Sequence, residues 1–245
     1  MKRFEKLKSS RLLLFGIFVG GMMTLASCLK DDEQGSYQIS AVRALNAVPG
    51  SASLDIGLDG KQLNFDNASG EDEDFAFGDT LAYKNAWPGN RWVTVFNPAD
   101  YPNAEPLAQG TVYFTPGRFY SLYVVGYDED TELMATEDNL SAPGAGKAKI
   151  RFINLSPNAP SLDFRVDDAD TLIASNKAFK EVADFSAIDA EETYIFNIIE
   201  HSSGNVVHTF EFTPKQDMIY TIWVKGLFEN TGDDALDFGH DIITH

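Results

Sequence analysis

Side chains able to do chemistry are few in this sequence and seldom spaced for it. The four histidines, His201, His208, His240 and His245, form no HExxH pair, and no serine occupies a GxSxG elbow, so zinc-hydrolase and α/β-hydrolase geometries lack their residues. His201, close to Gly204-Asn205, reads as a turn residue, and His245 is the last residue of the sequence. Gly144-Ala145-Gly146-Lys147 ends like a phosphate loop, but Ser141 stands where the first glycine belongs and a strand pattern follows it. Carboxylates cluster at Glu71-Asp72-Glu73-Asp74, Asp128-Glu129-Asp130, Asp167-Asp168-Ala169-Asp170 and Asp233-Asp234 with Asp237. Such oxygens suit Ca²⁺, yet no cluster has the spaced D-x-D-x-D-G loop that wraps the ion. The expectation is solvated hairpin tips that keep edge strands from pairing with other chains. For a cation, Asp167, Asp168 and Asp170 are the best-placed set. Flat rings that could stack on a sugar fall in or near loops at Trp87, Trp92, Tyr101 and Tyr113, and Trp87 sits in a Pro-Gly turn where a core residue is less expected. No cofactor motif and no catalytic constellation emerges, and the expectation is a protein that is not an enzyme.

What must position these residues is a repeated β module. Val42 to Ile56 aligns with Ile150 to Phe164 without a gap, with Arg, Asn, Pro, Ser, Leu and Asp identical at matched positions. A second block matches Phe114-Thr115-Pro116, Tyr120 and Gly126 to Phe212-Thr213-Pro214, Tyr220 and Gly226. Copy 1 therefore carries extra loop residues, within Gly70 to Asp74 or the proline-rich Asn97 to Pro106. Alternation of period two predicts half-buried strands: Leu162, Phe164 and Val166 face one way and Asp163, Arg165 and Asp167 the other, with Leu54, Ile56 and Leu58 repeating the pattern. Further strands read at 91–96, 110–114, 119–127, 193–199, 206–212 and 219–227, divided by turn sequences such as Trp87-Pro88-Gly89-Asn90. The fold class expected is all-β, two tandem Ig-like antiparallel β-sandwiches, at 38–140 and 147–245, joined by a linker at 141–146. Arg43 and Asp55, and again Arg151 and Asp163, flank a central proline. A hairpin there would set each pair opposite one another as a cross-strand ion pair, worth about 0.2–1 kcal/mol if exposed.

The motifs Ile150-Arg151-Phe152-Ile153-Asn154-Leu155-Ser156-Pro157-Asn158-Ala159-Pro160-Ser161-Leu162-Asp163 and Tyr120-Ser121-Leu122-Tyr123-Val124-Val125-Gly126 resemble those of a bacterial family known as a domain of unknown function, DUF4397. Copy 1 departs from it at Gly50-Ser51-Ala52, where the family usually has a polar-Ala-Pro step. The resemblance implies secreted Ig-like modules, often in tandem, on cell-surface proteins, and carries over no catalytic residue.

The one cysteine has a separate meaning. A basic start and a 15-residue apolar run from Leu12 to Ala26 are too short for a membrane-spanning helix and read as a signal peptide over 1–27. The run ends at Leu25-Ala26-Ser27-Cys28, which resembles a bacterial lipobox whose cysteine sulfur is diacylated. Residues 28–37 then form a lipidated tether, in which Lys30, Asp31, Asp32 and Glu33 resemble the surface-export signal of some Gram-negative lipoproteins. A lipid anchor in the outer membrane, exposed at the cell surface, is the expected location. Removing 1–27 deletes five basic and one acidic side chain, which moves the formal charge from −18 to −22. A chain this acidic repels phosphate backbones, which excludes nucleic acid as a partner. The partners left are the membrane through Cys28 and a glycan or an envelope protein. The functional expectation is a non-enzymatic adhesion or ligand-binding lipoprotein. Its rival is an accessory glycan-capture lipoprotein of a polysaccharide-uptake system.

Overall fold

Short alternating strands can bury one face only by closing on a second sheet. In the computed structural model, which describes residues 38–97, 103–128, 130–167, 171–230 and 232–245, this happens twice. Leu25 to Ser27, Cys28, Lys30 to Glu33, Tyr101, Asp168 and Asp170, all singled out in the sequence, lie outside the described residues. In the first repeat β1 (Ser40–Asn46), β6 (Lys84–Ala86), β9 (Phe119–Val125) and β10 (Glu132–Asp138) form a sheet in the order β10-β9-β1-β6. It faces a second sheet, β3-β2-β7-β8, made of β2 (Asp55–Leu58), β3 (Lys61–Gln62), β7 (Gly89–Phe96) and β8 (Ala108–Phe114). A small hairpin of β4 (Phe65–Asp66) and β5 (Glu71–Asp72) projects from it. The second repeat builds the same two sheets. One is β14-β11-β17-β18, from β11 (Lys147–Asn154), β14 (Ser186–Asp189), β17 (Ile219–Lys225) and β18 (Gly239–Thr244). The other is β13-β12-β15-β16, from β12 (Leu162–Val166), β13 (Leu172–Lys177), β15 (Tyr194–Glu200) and β16 (Val206–Phe212).

The architecture is all-β and sandwich-like, with one departure from an antiparallel scheme: β1 runs parallel to β9 and β11 parallel to β17. The alternation seen in the sequence places the core. Leu54, Ile56, Val93, Val95 and Phe114 fill the first sandwich, and Leu162, Phe164, Phe196, Ile198 and Phe210 fill the second. Offsets between equivalent strands show where copy 1 is longer: 108 residues at β1 and β11, 102 at β6 and β14, 100 at β9 and β17. Both candidate insertions, around the β4–β5 hairpin and in the segment after β7, therefore contribute. One alignment shifts. Tyr120 Oη accepts the Thr115 N–H and Tyr220 Oη accepts that of Lys215, so Thr115 matches Lys215 and the two Phe-Thr-Pro steps do not superpose.

A third apolar cluster joins the repeats. Leu45, Ala47, Tyr123 and Val125 from the first pack with Ile153, Leu155, Trp223 and Ile243 from the second, all essentially sealed from solvent. The central strands are thus buried on both faces, one inside its own sandwich and one against the other repeat. Residues 38–245 form one compact unit.

Candidate functional site

The repeats meet through polar groups as well as apolar ones, and this contact determines what they can present to a ligand. Arg151 and Asp138 are at its centre, with 3% and 0% of their side chains exposed and Nη2 to Oδ1 at 2.6 Å. Arg151 Nε donates to Thr221 Oγ1 at 2.8 Å and Nη2 donates to Tyr123 Oη at 2.9 Å, while its guanidinium lies 4.5 Å from the Phe185 ring centre. The other carboxylate oxygen of Asp138 accepts from Tyr83 Oη at 2.6 Å and Ser121 Oγ at 2.7 Å. Because Tyr83 donates its one proton to Asp138, its oxygen can only accept from His245 Nδ1 at 2.8 Å. His245 Nε2 then accepts from Thr221 Oγ1 at 2.7 Å, which fixes a neutral Nδ1–H imidazole. Burial holds the His245 pKa down at about 4, with Arg151 and Arg43 adding to it and Asp138 opposing. Burial, then the Asp138 charge, pushes the Tyr83 phenol well above its ordinary range.

The expected Arg-Asp pairs do not form, and the reason is topological. The Pro49 and Pro157 segments are not hairpins: β1 and β2 lie in different sheets, as do β11 and β12, so the chain crosses the sandwich between each Arg and its Asp. Arg43 points into the contact between repeats, where Nη1 donates to the Thr244 carbonyl at 2.9 Å and the guanidinium lies 5.1 Å from the Tyr83 ring centre. Asp55 accepts from Gln62 and Asn64, and Asp163 from Ser175 and the Asn176 N–H, with His201 Nδ1 at 2.9 Å. The matched asparagines hold the crossovers. Asn46 Oδ1 accepts the Val48 N–H and its Nδ2 donates to the Phe75 carbonyl, and Asn154 Oδ1 likewise accepts the Ser156 N–H.

Clamping the repeats side by side aligns their loop ends and leaves clefts between them. One of roughly 620 Å³ is walled by Val48, Pro49, Leu107 and Tyr127 of the first repeat and by Asp233 and Leu236 of the second. Next to it is another of roughly 830 Å³, lined by Tyr127, Asp130, Thr131, Pro157 and Phe179. Tyr127 is exposed and shared by both. Two features set the walls. Gly126 precedes Tyr127 at φ +111°, and a Cβ there would stand 2.0 Å from the Asp130 carbonyl oxygen, so only glycine permits this return of the chain. Leu236, on a 3₁₀ turn at Asp234–Leu236, packs against Gly50. The side chains there are a phenol ring, carboxylates at Asp128 and Asp130, the Thr131 hydroxyl and the Asn97 amide. They can bond hydroxyl and ammonium groups beside an aromatic face.

The sequence pointed elsewhere for ligand contact. Trp87 is exposed at the opposite end of the first repeat, on the rim of a separate cleft of roughly 710 Å³ with Lys61, Gln62 and Lys84, and Trp92 is exposed midway along β7. Asp167 accepts from Asn197 Nδ2. Among the described residues no group of three or more His, Cys, Asp or Glu side chains is arranged to hold a metal ion. His208 and His240 meet at 2.8 Å between the edges of the two sheets of repeat 2, His240 stacked on Phe210, and burial holds the His240 pKa at about 4.

The sequence profile described as a domain of unknown function, DUF4397, matches residues 40–165, just over half the chain. No curated protein matches. Among the solved structures that match, three illustrate how low the likeness is. The C-terminal domain of AlgF from P. aeruginosa is 18% identical over 41% of this chain and 99% of its own, with a TM-score of 0.27. A streptococcal virulence factor described as binding alpha-glucan is 14% identical over 76% and 93%, with a TM-score of 0.26. A family CBM26 module of Eubacterium rectale Amy13K, solved with maltoheptaose, is 9% identical over 81% and 100%, with a TM-score of 0.25. Likeness at this level fixes no ligand.

Proposed function

The chain belongs to the DUF4397 family, and we propose that it is a lipid-anchored, non-enzymatic ligand-binding protein of the outer cell surface, held by Cys28. The observation that carries the binding role is the pair of clefts between the repeats, which exist only because a buried polar clamp and an apolar contact hold two sandwiches in register. A fixed concavity with one exposed ring and converging polar groups is where a ligand loses least entropy on binding. Anchoring is supported by Leu25-Ala26-Ser27-Cys28 directly after the apolar run. More than one acyl chain makes a stable anchor. Cys28→Ala should leave the protein uncleaved or released from membranes, and retained acyl labelling of that variant would refute the anchor.

A second reading, glycan capture for a surface uptake system, is favoured by Tyr127, a flat ring bordered by the hydroxyl-bonding groups of Asp128, Asp130 and Thr131. Screening residues 38–245 on a glycan array tests it. Binding that disappears in Tyr127→Ala, with thermal stability unchanged, supports capture at this cleft. Binding that survives Tyr127→Ala removes the cleft from the proposal, and an array without hits moves the ligand to an envelope protein.

A further inference from the structure

The two ends of the molecule differ, and the end at which the chain enters the fold is the apolar one. Ser40, the first residue of β1, pairs with Ala86, the neighbour of Trp87. Ala41 pairs with Phe119, and Gly89 at the start of β7 pairs with Phe114, the neighbour of Tyr113. Ile39, Trp87, Tyr113 and Phe119 therefore lie at one end of the first repeat, and all are exposed, Trp87 by 63% and Tyr113 by 62%. Trp92, 46% exposed, sits two positions further along the outer face of the same sheet. The second repeat is aligned with the first, since Asp138 and His245, each next to a strand end, meet Tyr83 there. It adds exposed Met218 to the same end. Ion pairs whose charges cancel border this apolar set: Arg118 with Glu137, Lys147 with Asp189, and Lys215 with Glu191. At the other end stand the carboxylates of Asp128, Asp130, Asp233 and Asp234 beside the clefts.

We infer that the entry end is a membrane footing: Trp87, Tyr113, Phe119 and Ile39 rest in the headgroup layer, and the clefts between the repeats face away from the bilayer. This rests on the anchor proposed above. The occupant follows from chain length and charge. Only nine residues lie between Cys28 and Gln38, and the ten Cα steps reach at most about 35 Å when fully extended. Strands of seven residues put the loop end about 25 Å beyond the entry end, so the tether would have to run nearly extended for the loop end to meet the bilayer. Tryptophan and tyrosine favour the interface, where an apolar body and a polar tip are both satisfied. The acidic loop end would be repelled by an anionic envelope, so charge and apolarity select one orientation.

The sequence supplies its own probes. It has three tryptophans, Trp87 at the footing, Trp92 further along the outer face of the sheet and Trp223 sealed between the repeats, and one cysteine. The chain from Cys28 to His245 can be coupled through that thiol to a maleimide lipid in phosphatidylcholine vesicles, so the outcome does not depend on acylation in cells. In Trp92→Phe, the accessible emission reports Trp87 against a constant Trp223 background. Attachment should shift this emission to the blue, cut its quenching by acrylamide by at least about half, and expose it to quenching by lipids brominated near the headgroup. Trp87→Phe with Trp92→Phe should abolish all three changes. If Trp87 stays as open to acrylamide on the vesicle as in solution, the footing is wrong, whatever becomes of the anchor. Absence of acyl labelling at Cys28 in cells refutes the anchor alone.

Discussion

Replacing Arg151 by methionine isolates the clamp that makes the clefts. The variant keeps most of the side-chain volume but removes the cation 2.6 Å from Asp138, together with the bonds to Thr221 and Tyr123. Asp138 retains the Tyr83 and Ser121 hydroxyls, but His245 is the other base near it, 4.0 Å away and neutral. Truncating one member of a sealed ion pair leaves an uncompensated charge, at a cost of about 3–5 kcal/mol. Removing both charges in Arg151→Met with Asp138→Leu should recover most of that loss, giving a coupling of at least about 2 kcal/mol. The assay is urea unfolding of residues 38–245, followed by tryptophan emission because Trp223 lies in the contact. An exposed pair, Lys147 with Asp189, serves as the control, and Lys147→Ala should not move the midpoint measurably. If Arg151→Met costs less than about 1 kcal/mol, or if the two changes simply add, the pair does not hold the repeats together.

Two further outcomes follow from the same geometry. The His245 pKa lies near 4 in the folded chain against 6.5 ordinarily, so its stabilisation is complete above pH 6.5 and is lost as pH falls towards 4. That loss is on the order of 3 kcal/mol, and His245→Gln should flatten the slope of unfolding free energy in this window; an unchanged slope would assign it to other groups. Gly126→Ala places a methyl group 2.0 Å from the Asp130 oxygen at a positive φ and should cost at least about 3 kcal/mol in the same unfolding assay, whereas Gly110→Ala, in β8 without a positive φ and with open space around it, should cost far less.

What the sequence could reveal depended on how far apart the interacting residues stand. Alternation in Leu54-Asp55-Ile56 and Leu162-Asp163-Phe164 assigns faces correctly, because a strand with one wet face keeps a period of two. The Arg-Asp spacing misleads because Pro49 and Pro157 suit a crossover between sheets as well as a hairpin, and a local pattern cannot tell the two apart. One signal for the contact is present: Phe119 to Val125 and Ile219 to Val224 are nearly unbroken apolar runs, the mark of strands covered on both faces. Its polar half is hidden, since the partners that differ between the repeats, Tyr83, Asp138 and His245, lie outside the aligned blocks.

Those partners show why the repeats had to diverge where they touch. By register, Tyr83 occupies in the first repeat the place of Phe185 in the second, and Asp138 the place of His245. Arg43 and Arg151 are the same residue in both, each beside its own ring. Had the copies stayed identical, two carboxylates would face each other in a sealed contact and one would have to take up a proton, or two imidazoles would leave Arg151 without a counter-charge. An acid in one copy and a neutral base in the other, bridged by a single tyrosine hydroxyl, satisfies every donor in the Tyr83-Asp138-His245-Thr221 chain. The asymmetry makes the tandem a single body, and it predicts that exchanging the two residues, Asp138→His with His245→Asp, restores less stability than Arg151→Met with Asp138→Leu. In the exchanged chain the carboxylate brought to the C-terminal position would be shorter than the imidazole that spans Tyr83 and Thr221, and Arg151 would face a neutral ring. Recovery to the wild-type midpoint in urea would show that the contact tolerates either order, and that the two copies are interchangeable there.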